Sequence, residues 1–427
     1  MKKLLFSALW LATTLSVSAQ HNDNCKVNMP EESQVPAYTN EDTWVAYEAF
    51  NTYLIDPQKN IYKEFTTDKA AVVREKGAAA IWCQPMYVDM AMNAYKRAQK
   101  DRNKELRKKY EKFSKDLIAG NKAQYVDFNF DDQNIPRGWF IYDDIMWWTI
   151  TLARAYETFG DKSYLEASER SFARVWYGSP KALGGIGDRG SYDPKTGGMC
   201  WDWDQKNPGD NTGHYQNACI NFPVVVAAMT LYNNVPKGRK EITGSLRPEY
   251  QTKEQYLEKA KEVYQWGINN LFDSKTGVIA DGRHGTGRPA WEQCLVYNQA
   301  TFIGASVLLY KATGDELYLK NAILAADHTM NVLSAPLGLL PFKKGIEQGI
   351  YTTIFAQYIA MLVYDCDQTQ YIPFIQRTIN YGWMNRDESH NLTGGDYSKK
   401  WNEGAKIESY SASGIPALML LFPAEKK

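Results

Sequence analysis

One phrase occurs twice in this chain and restricts what it can fold into. Leu152-Ala-Arg-Ala-Tyr-Glu-Thr-Phe-Gly-Asp-Lys-Ser-Tyr-Leu165 is matched by Leu308-Leu-Tyr-Lys-Ala-Thr-Gly-Asp-Glu-Leu-Tyr-Leu319. Each reads as the end of one helix, a glycine that takes the left-handed C-terminal position, an aspartate cap, and the start of the next helix. Weaker versions lie near Tyr95, between Tyr232 and Leu257, and between Tyr364 and Ile375. A long-period repeat of this kind marks stacked supersecondary units. Apolar periodicity predicts twelve helices, at 42–55, 79–98, 103–119, 141–158, 161–177, 213–234, 252–272, 291–313, 315–332, 346–365, 367–385 and 409–423. Joins from an even to an odd helix are short, apart from the one at 235–251. Joins from odd to even are long: 56–78, 120–140, 178–212, 273–290, 333–345 and 386–408. The alternation predicts an all-α (α/α)6 toroid of six hairpins, with even helices in the inner ring and odd helices in the outer ring.

The toroid accounts for one domain spanning 20–427. Residues 1–19 read as a secretory signal: Lys2 and Lys3, an apolar run from Leu4 to Leu15, and small residues Val17 and Ala19 before the expected cut. No later stretch is long and apolar enough to span a membrane. An exported protein is expected, periplasmic or extracellular; attachment at the cell surface through a lipid on Cys25 is the alternative, which the polar His21 to Asn24 suit poorly. Lys plus Arg equals Asp plus Glu at 49 each, so net charge points to neither nucleic acid nor an anionic membrane. The six cysteines match no zinc pattern. Cys200 and Cys219 either pair across their loop or remain structural thiols. No metal or cofactor is called for, and a monomer is expected.

Every long join enters an inner helix at its N-terminus, so these loops gather on one face, where a rigid scaffold usually carries its site. The first turns of the inner helices then present Trp82 and Gln84, Tyr142 with Asp143 and Asp144, Tyr215 to Asn217, Tyr297 with Asn298 and Gln299, Tyr351, and Ser411. The 13 Trp and 28 Tyr supply flat apolar faces with polar edges, which suit sugar rings as well as a helical core. Within Trp139-Phe-Ile-Tyr-Asp-Asp-Ile-Met-Trp-Trp148 two acids sit among apolar and aromatic residues, where an unpaired charge is costly. Aspartate suits a first helical turn for capping and for the dipole. Two carboxyls held roughly 5 to 6 Å apart also suit glycoside hydrolysis with retention, and repulsion between them raises one pKa to supply a proton donor.

Five blocks in order resemble glycoside hydrolase family 76, the endo-α-1,6-mannanases, over nearly the whole mature chain. They are Ala80-Ile-Trp-Cys-Gln-Pro-Met-Tyr87, Tyr142-Asp-Asp-Ile-Met-Trp-Trp148, Gly184-Gly-Ile186 with Tyr215-Gln-Asn-Ala218, Gly277-Val-Ile-Ala-Asp-Gly282, and Tyr297-Asn-Gln-Ala-Thr-Phe-Ile-Gly304. The resemblance implies Asp143 as nucleophile and Asp144 as general acid and then base. It also implies Asp281 as a substrate contact, with Tyr297, Asn298 and Gln299 shaping the cleft, and an α-mannan or manno-oligosaccharide as substrate.

The chain departs from the family at 187–212, where a longer loop carries Trp201-Asp-Trp-Asp204. Trp201 and Trp203 are candidates for stacking on sugar. Asp202, Asp204 and Asp210 lack the spacing of an EF-hand and read as solvated charge. Four other functions remain open. Transglycosylation keeps the chemistry. An unsaturated glucuronyl hydrolase needs a basic subsite, for which Arg189 and Arg283 stand nearest. A sugar epimerase needs histidines, and His214 and His284 alone fall near the cleft. A non-catalytic glycan binder has no need of both acids. There is no Gly-x-Ser-x-Gly elbow for a serine hydrolase.

Overall fold

At the short joins, glycine and aspartate do what the repeated phrase predicts. Gly160 (φ 74°) closes α4 (Tyr142–Phe159), and the Asp161 carboxylate accepts the Ser163 amide at 2.9 Å to start α5 (Lys162–Tyr177). Gly314 (φ 72°) closes α8 (Val296–Thr313), and Asp315 accepts from Leu317 at 3.0 Å to start α9 (Glu316–His328). The remaining helices are α1 (Asn40–Leu54), α2 (Gln84–Lys100), α3 (Lys104–Gln124), α6 (Ala218–Asn234), α7 (Lys253–Asn270), α10 (Tyr351–Asp365), α11 (Ile372–Met384) and α12 (Ser409–Leu421). The computed structural model describes residues 29–73, 76–132, 140–203, 215–284, 293–343, 345, 348–402, 404 and 406–424. The signal segment and Cys25 lie outside the described residues, as do Asp204, Asp210 and His214. No described helix is long and apolar enough to cross a membrane.

The even helices pack in sequence, α2 on α4, α4 on α6, and so on to α12, which returns to α2. The inner ring of the predicted (α/α)6 toroid is thereby closed. α3, α5, α7 and α9 each back the inner helix before them, whereas α11 packs chiefly on α12 rather than on α10 as the hairpin pattern predicts, and α1 packs on α12. The two ends of the described chain are therefore joined: Tyr38 Oη donates to the Phe422 carbonyl at 2.8 Å, and the Ala424 amide to Asn40 Oδ1 at 3.1 Å. Burial follows the two rings. In α6 every residue from Ala218 to Leu231 is buried, as expected for a helix surrounded by others. In α3 the buried positions are Tyr110, Ser114, Leu117, Ile118 and Asn121, a single face at helical spacing.

Four inner helices begin about five residues later than periodicity predicts, at 84, 218, 296 and 351 in place of 79, 213, 291 and 346. Pairing with distant backbone takes up several of the residues before them. Strand β3 (Tyr215–Asn217) runs antiparallel to β4 (Gly282–His284), with Asn217 opposite Gly282. Cys294 bridges Ala280, and Ala78 bridges Lys63 beside β1 (Ile55–Asp56) and β2 (Ile61–Tyr62). Before α10, Gln348–Ile350 form a single 3-10 turn.

Buried amides on three inner helices fasten this layer. Gln84 bonds both the amide and the carbonyl of Tyr62 at 3.0 and 2.9 Å. Asn221 does the same to Met199 at 2.9 and 3.0 Å. Gln299 takes the Ile279 amide at 2.6 Å and the Gly277 carbonyl at 2.8 Å. Each amide supplies a donor and an acceptor to extended backbone that would otherwise be buried unpaired.

Candidate active site

The first turns of the inner helices and the long loops enclose a cleft of about 510 Å³, within the size range of small-ligand sites. Asp143 and Asp144 stand on its wall, at the second and third positions of α4. Around them are the aromatics Trp82, Trp147, Trp201, Tyr125, Tyr297 and Tyr351, with Asn217, Cys219 and Asp281. The apolar stretch Ala78–Ile81, with Val72 and Val73, closes another side. The Tyr297 and Tyr351 rings stack at 4.2 Å and 20°. Among the described residues no lysine, arginine or histidine lines this cleft. Arg189 lies 3.9 Å from Asp193, and Arg283 donates to Asn270.

The Asp143 carboxylate is fixed by its own helix and flanked by two side chains that favour its charge. The Asp144 amide donates to Oδ1 at 3.0 Å, so Asp143 does cap the first turn as its position predicts. Trp201 and Cys219 line the cleft beside it, and their polar hydrogens favour the charged form. These donors favour the anion, and burial opposes them more strongly. The Asp143 carboxyl is pushed up to about 7. Asp144, next to it, is 4% exposed. Burial also raises Asp281, against a 2.8 Å hydrogen bond from Asn298 Nδ2. The backbone fixes Asp281 further, its carbonyl accepting from Ala218 at 2.8 Å and its amide donating to Gln293 at 2.9 Å. The next residue has to be glycine, because a Cβ at Gly282 would lie 2.2 Å from Asn217 Oδ1.

Of the residues singled out from sequence, Asp143, Asp144, Asp281, Trp82, Asn217, Tyr297 and Trp201 line the cleft. Five stand behind it. Gln84 and Gln299 are fully buried and spend their amides on backbone. Asn298 is fully buried against Asp281. Trp203 packs on Tyr142 at 4.9 Å. Tyr142 faces away, its hydroxyl donating to Asp188 Oδ2 at 2.6 Å. Asp188, which sequence reading missed, accepts in addition from Arg174 at 2.9 Å and from the amides of Ser179 and Gly190 at 3.1 and 3.3 Å. The loop crosses itself there, and a Cβ at Gly178 (φ 78°) would meet the Asp188 carbonyl at 2.2 Å. Cys219 was also missed as a site residue. It and Cys200 are both free thiols, and Cys219 faces the acids.

The glycosyl hydrolase family 76 profile matches residues 39–420. The chain belongs to glycosyl hydrolase family 76. That makes it a glycoside hydrolase by family, and solved family 76 structures share its fold at low identity. An α-1,6-mannanase from Salegentibacter sp. HEL1_6 superposes with a TM-score of 0.67 at 19% identity, over 90% of this chain and 98% of that one. An inactive variant of that enzyme, with two adjacent aspartates replaced by alanine, was solved in complex with α-1,6-mannotetrose. A family 76 mannosidase from Bacteroides thetaiotaomicron gives 0.67 at 18% identity, over 89% and 96%. A Listeria innocua protein gives 0.68 at 19% identity, over 90% and 96%. No curated protein matches the sequence.

Proposed function

We propose that this family 76 enzyme cleaves α-1,6-linked mannan backbones internally, with retention of configuration, and that it acts outside the cytoplasm as a monomer. The observation that carries this reading is the adjacent Asp143 and Asp144 on the wall of an aromatic cleft that also holds Asp281. The absence of cationic side chains from the described lining favours a neutral sugar over a uronate, whose carboxylate calls for a positive partner. The Salegentibacter relative's complex with an α-1,6-mannotetrose supports the linkage.

In this reading the Asp143 carboxylate attacks the anomeric carbon. The bond to the leaving oxygen breaks as Asp144 gives that oxygen its proton, which leaves a mannosyl ester on Asp143. Asp144, now ionised, takes a proton from water. The water oxygen bonds to the anomeric carbon, and Asp143 departs as carboxylate. The Asp144 amide holds Asp143 oriented for both displacements, with Trp201 and Cys219 packed beside it on the cleft wall. The test is product analysis on debranched α-1,6-mannan: short manno-oligosaccharides support the reading, and an untouched polymer overturns it.

Two predictions follow from these roles. The working form of the pair carries one proton, so one carboxyl attacks while the other donates. The pair gives up that last proton near the raised value of about 7. kcat/KM is therefore expected to fall as pH rises through about 7, and a profile flat from pH 6 to 9 would contradict it. Asp144→Ala is expected to lose roughly 10²- to 10⁴-fold on mannan, the usual range for a lost acid–base group. On aryl α-mannosides whose leaving group needs no protonation, the glycosylation step should recover most of that loss in pre-steady-state measurements. An equal loss on both substrates would remove Asp144 from the acid role.

A further inference from the structure

The inner ring holds a second cavity at its other end. The cleft lies at the first turns of the inner helices, and a funnel of about 200 Å³ lies toward their last turns. α2, α4, α6, α8 and α10 all contribute to it, so it sits within the ring on the face opposite the cleft. Its floor is polar and buried. Arg154 pairs with Asp89 at 2.5 Å, with 12% and 8% of their side chains exposed, and Thr151 Oγ1 donates to Asp89 at 3.0 Å. Its mouth is exposed and is formed by Lys96, Glu157, Asn233 and Lys311, one from each of four helices. On the wall between, Asn93 Nδ2 donates to Gln357 Oε1 at 2.8 Å, and the Lys311 ammonium to Asp365 at 2.6 Å. Among the described residues, Lys96, Glu157 and Asn233 find no hydrogen bond or ion pair.

We propose that this funnel binds a single neutral sugar ring, at a site separate from the catalytic cleft. Stability alone does not account for its floor. A buried ion pair usually contributes no more than apolar residues of the same volume, and apolar filling closes the ring elsewhere, as along α6. Charge at the funnel is balanced. Lys96, Arg154 and Lys311 offset Asp89, Glu157 and Asp365, so the lining prefers neither an anion nor a cation. The cations also suit the C-terminal ends of the helices that converge there. A hydroxyl both donates and accepts, so one sugar ring can meet the unpaired ammonium, carboxylate and amide together. Met92, Leu308 and Met361 give the wall an apolar part against which the C–H face of a ring can lie. The volume, about 200 Å³ against about 510 Å³ for the cleft, suits one ring rather than a chain. The proposal does not depend on the roles of Asp143 and Asp144.

Methionine supplies the reporter. Met361 lines the funnel, and no methionine is among the described residues lining the cleft. In protein labelled with ¹³C at methionine methyls, the Met361 resonance is assigned by its loss in Met361→Leu. Free mannose is expected to shift that resonance saturably, with a dissociation constant on the order of 1–10 mM. Lys96→Ala combined with Glu157→Ala removes one cation and one anion at the exposed mouth, so net charge and the buried floor are kept. The double variant is expected to bind mannose at least roughly tenfold more weakly, with an unchanged melting curve. Asn233→Ala should weaken binding in the same direction by less. Free glycine, a zwitterion, is the control. A Met361 shift with glycine and none with mannose overturns the sugar assignment. No saturable shift with mannose up to about 100 mM, or a mannose shift unaltered in the double variant, overturns the proposal. Mannose has no glycosidic bond to cleave, so the result stands whether or not mannan is hydrolysed.

Discussion

Asp143→Asn is expected to reduce kcat on α-1,6-mannan by at least roughly a thousandfold, since a neutral amide cannot form the mannosyl ester. The loss should fall on kcat far more than on KM, because the aromatic wall of Trp82, Trp201, Tyr297 and Tyr351 is unchanged. Stability should move the other way. A carboxyl near 3.8 unfolded and about 7 folded costs nothing well below pH 3.8, where both states are protonated. Between those values the unfolded state loses its proton first, so native stability falls with rising pH, and the full cost is present above about 7. Asn carries no such cost. With water in the cleft screening part of the charge, the variant should gain on the order of 2 kcal/mol at pH 8 and nothing at pH 2. Single-turnover kinetics and thermal melts at the two pH values check both halves. Activity within tenfold of wild type removes Asp143 from the chemistry.

Asp188→Ala is the substitution with the largest expected effect on folding. Arg174 and Asp188 pair at 2.9 Å with 1% and 0% of their side chains exposed. Removing the carboxylate leaves Asp131 as the guanidinium's remaining anion, at 3.2 Å, and deprives the Tyr142 hydroxyl and the Ser179 and Gly190 amides of their acceptor. A buried pair broken from one side typically costs about 3–5 kcal/mol. For a chain of this length that lowers the thermal midpoint by about 5 °C. Asp188→Asn retains an acceptor and should lose about half as much. Because Tyr142 precedes Asp143 directly, the alanine variant should also lose activity at temperatures where it is still folded. An unchanged melting curve would show that the loop is held by its other contacts.

The sequence by itself was enough to determine the twelve helices, four of their hairpins and the closed inner ring. The reason is that these depend on local signals: apolar period, a glycine able to take positive φ at 160 and 314, and an aspartate cap after each. The candidate acids stood out because two carboxyls inside a run such as Tyr142 to Trp148 are costly to bury, although first-turn capping explained them equally well until the other family blocks were read beside them. One further local signal went unread. Asp193-Pro-Lys-Thr-Gly197 and Asp273-Ser-Lys-Thr-Gly277 repeat a turn in which the aspartate accepts the amide two residues on and the glycine takes positive φ. Asp56 to Asn60 and Asp387 to Asn391 repeat it with asparagine at the last position. Those at Asp56 and Asp273 stand near the start of the loops that lead into α2 and α8.

Only the tertiary structure decided which polar residues of the first turns face the cleft. Trp82 lines the cleft while Gln84, two residues on, stands behind it. Gln84 turns inward because the backbone of Tyr62 needs a donor and an acceptor there. Gln299 turns to Ile279 and Gly277 for the same reason. Cys219 faces Asp143 across 76 positions of sequence because α4 and α6 are neighbours in the ring. A buried polar group goes where its partner is, and the partner belongs to another element, so its direction is a property of the assembled ring rather than of any segment.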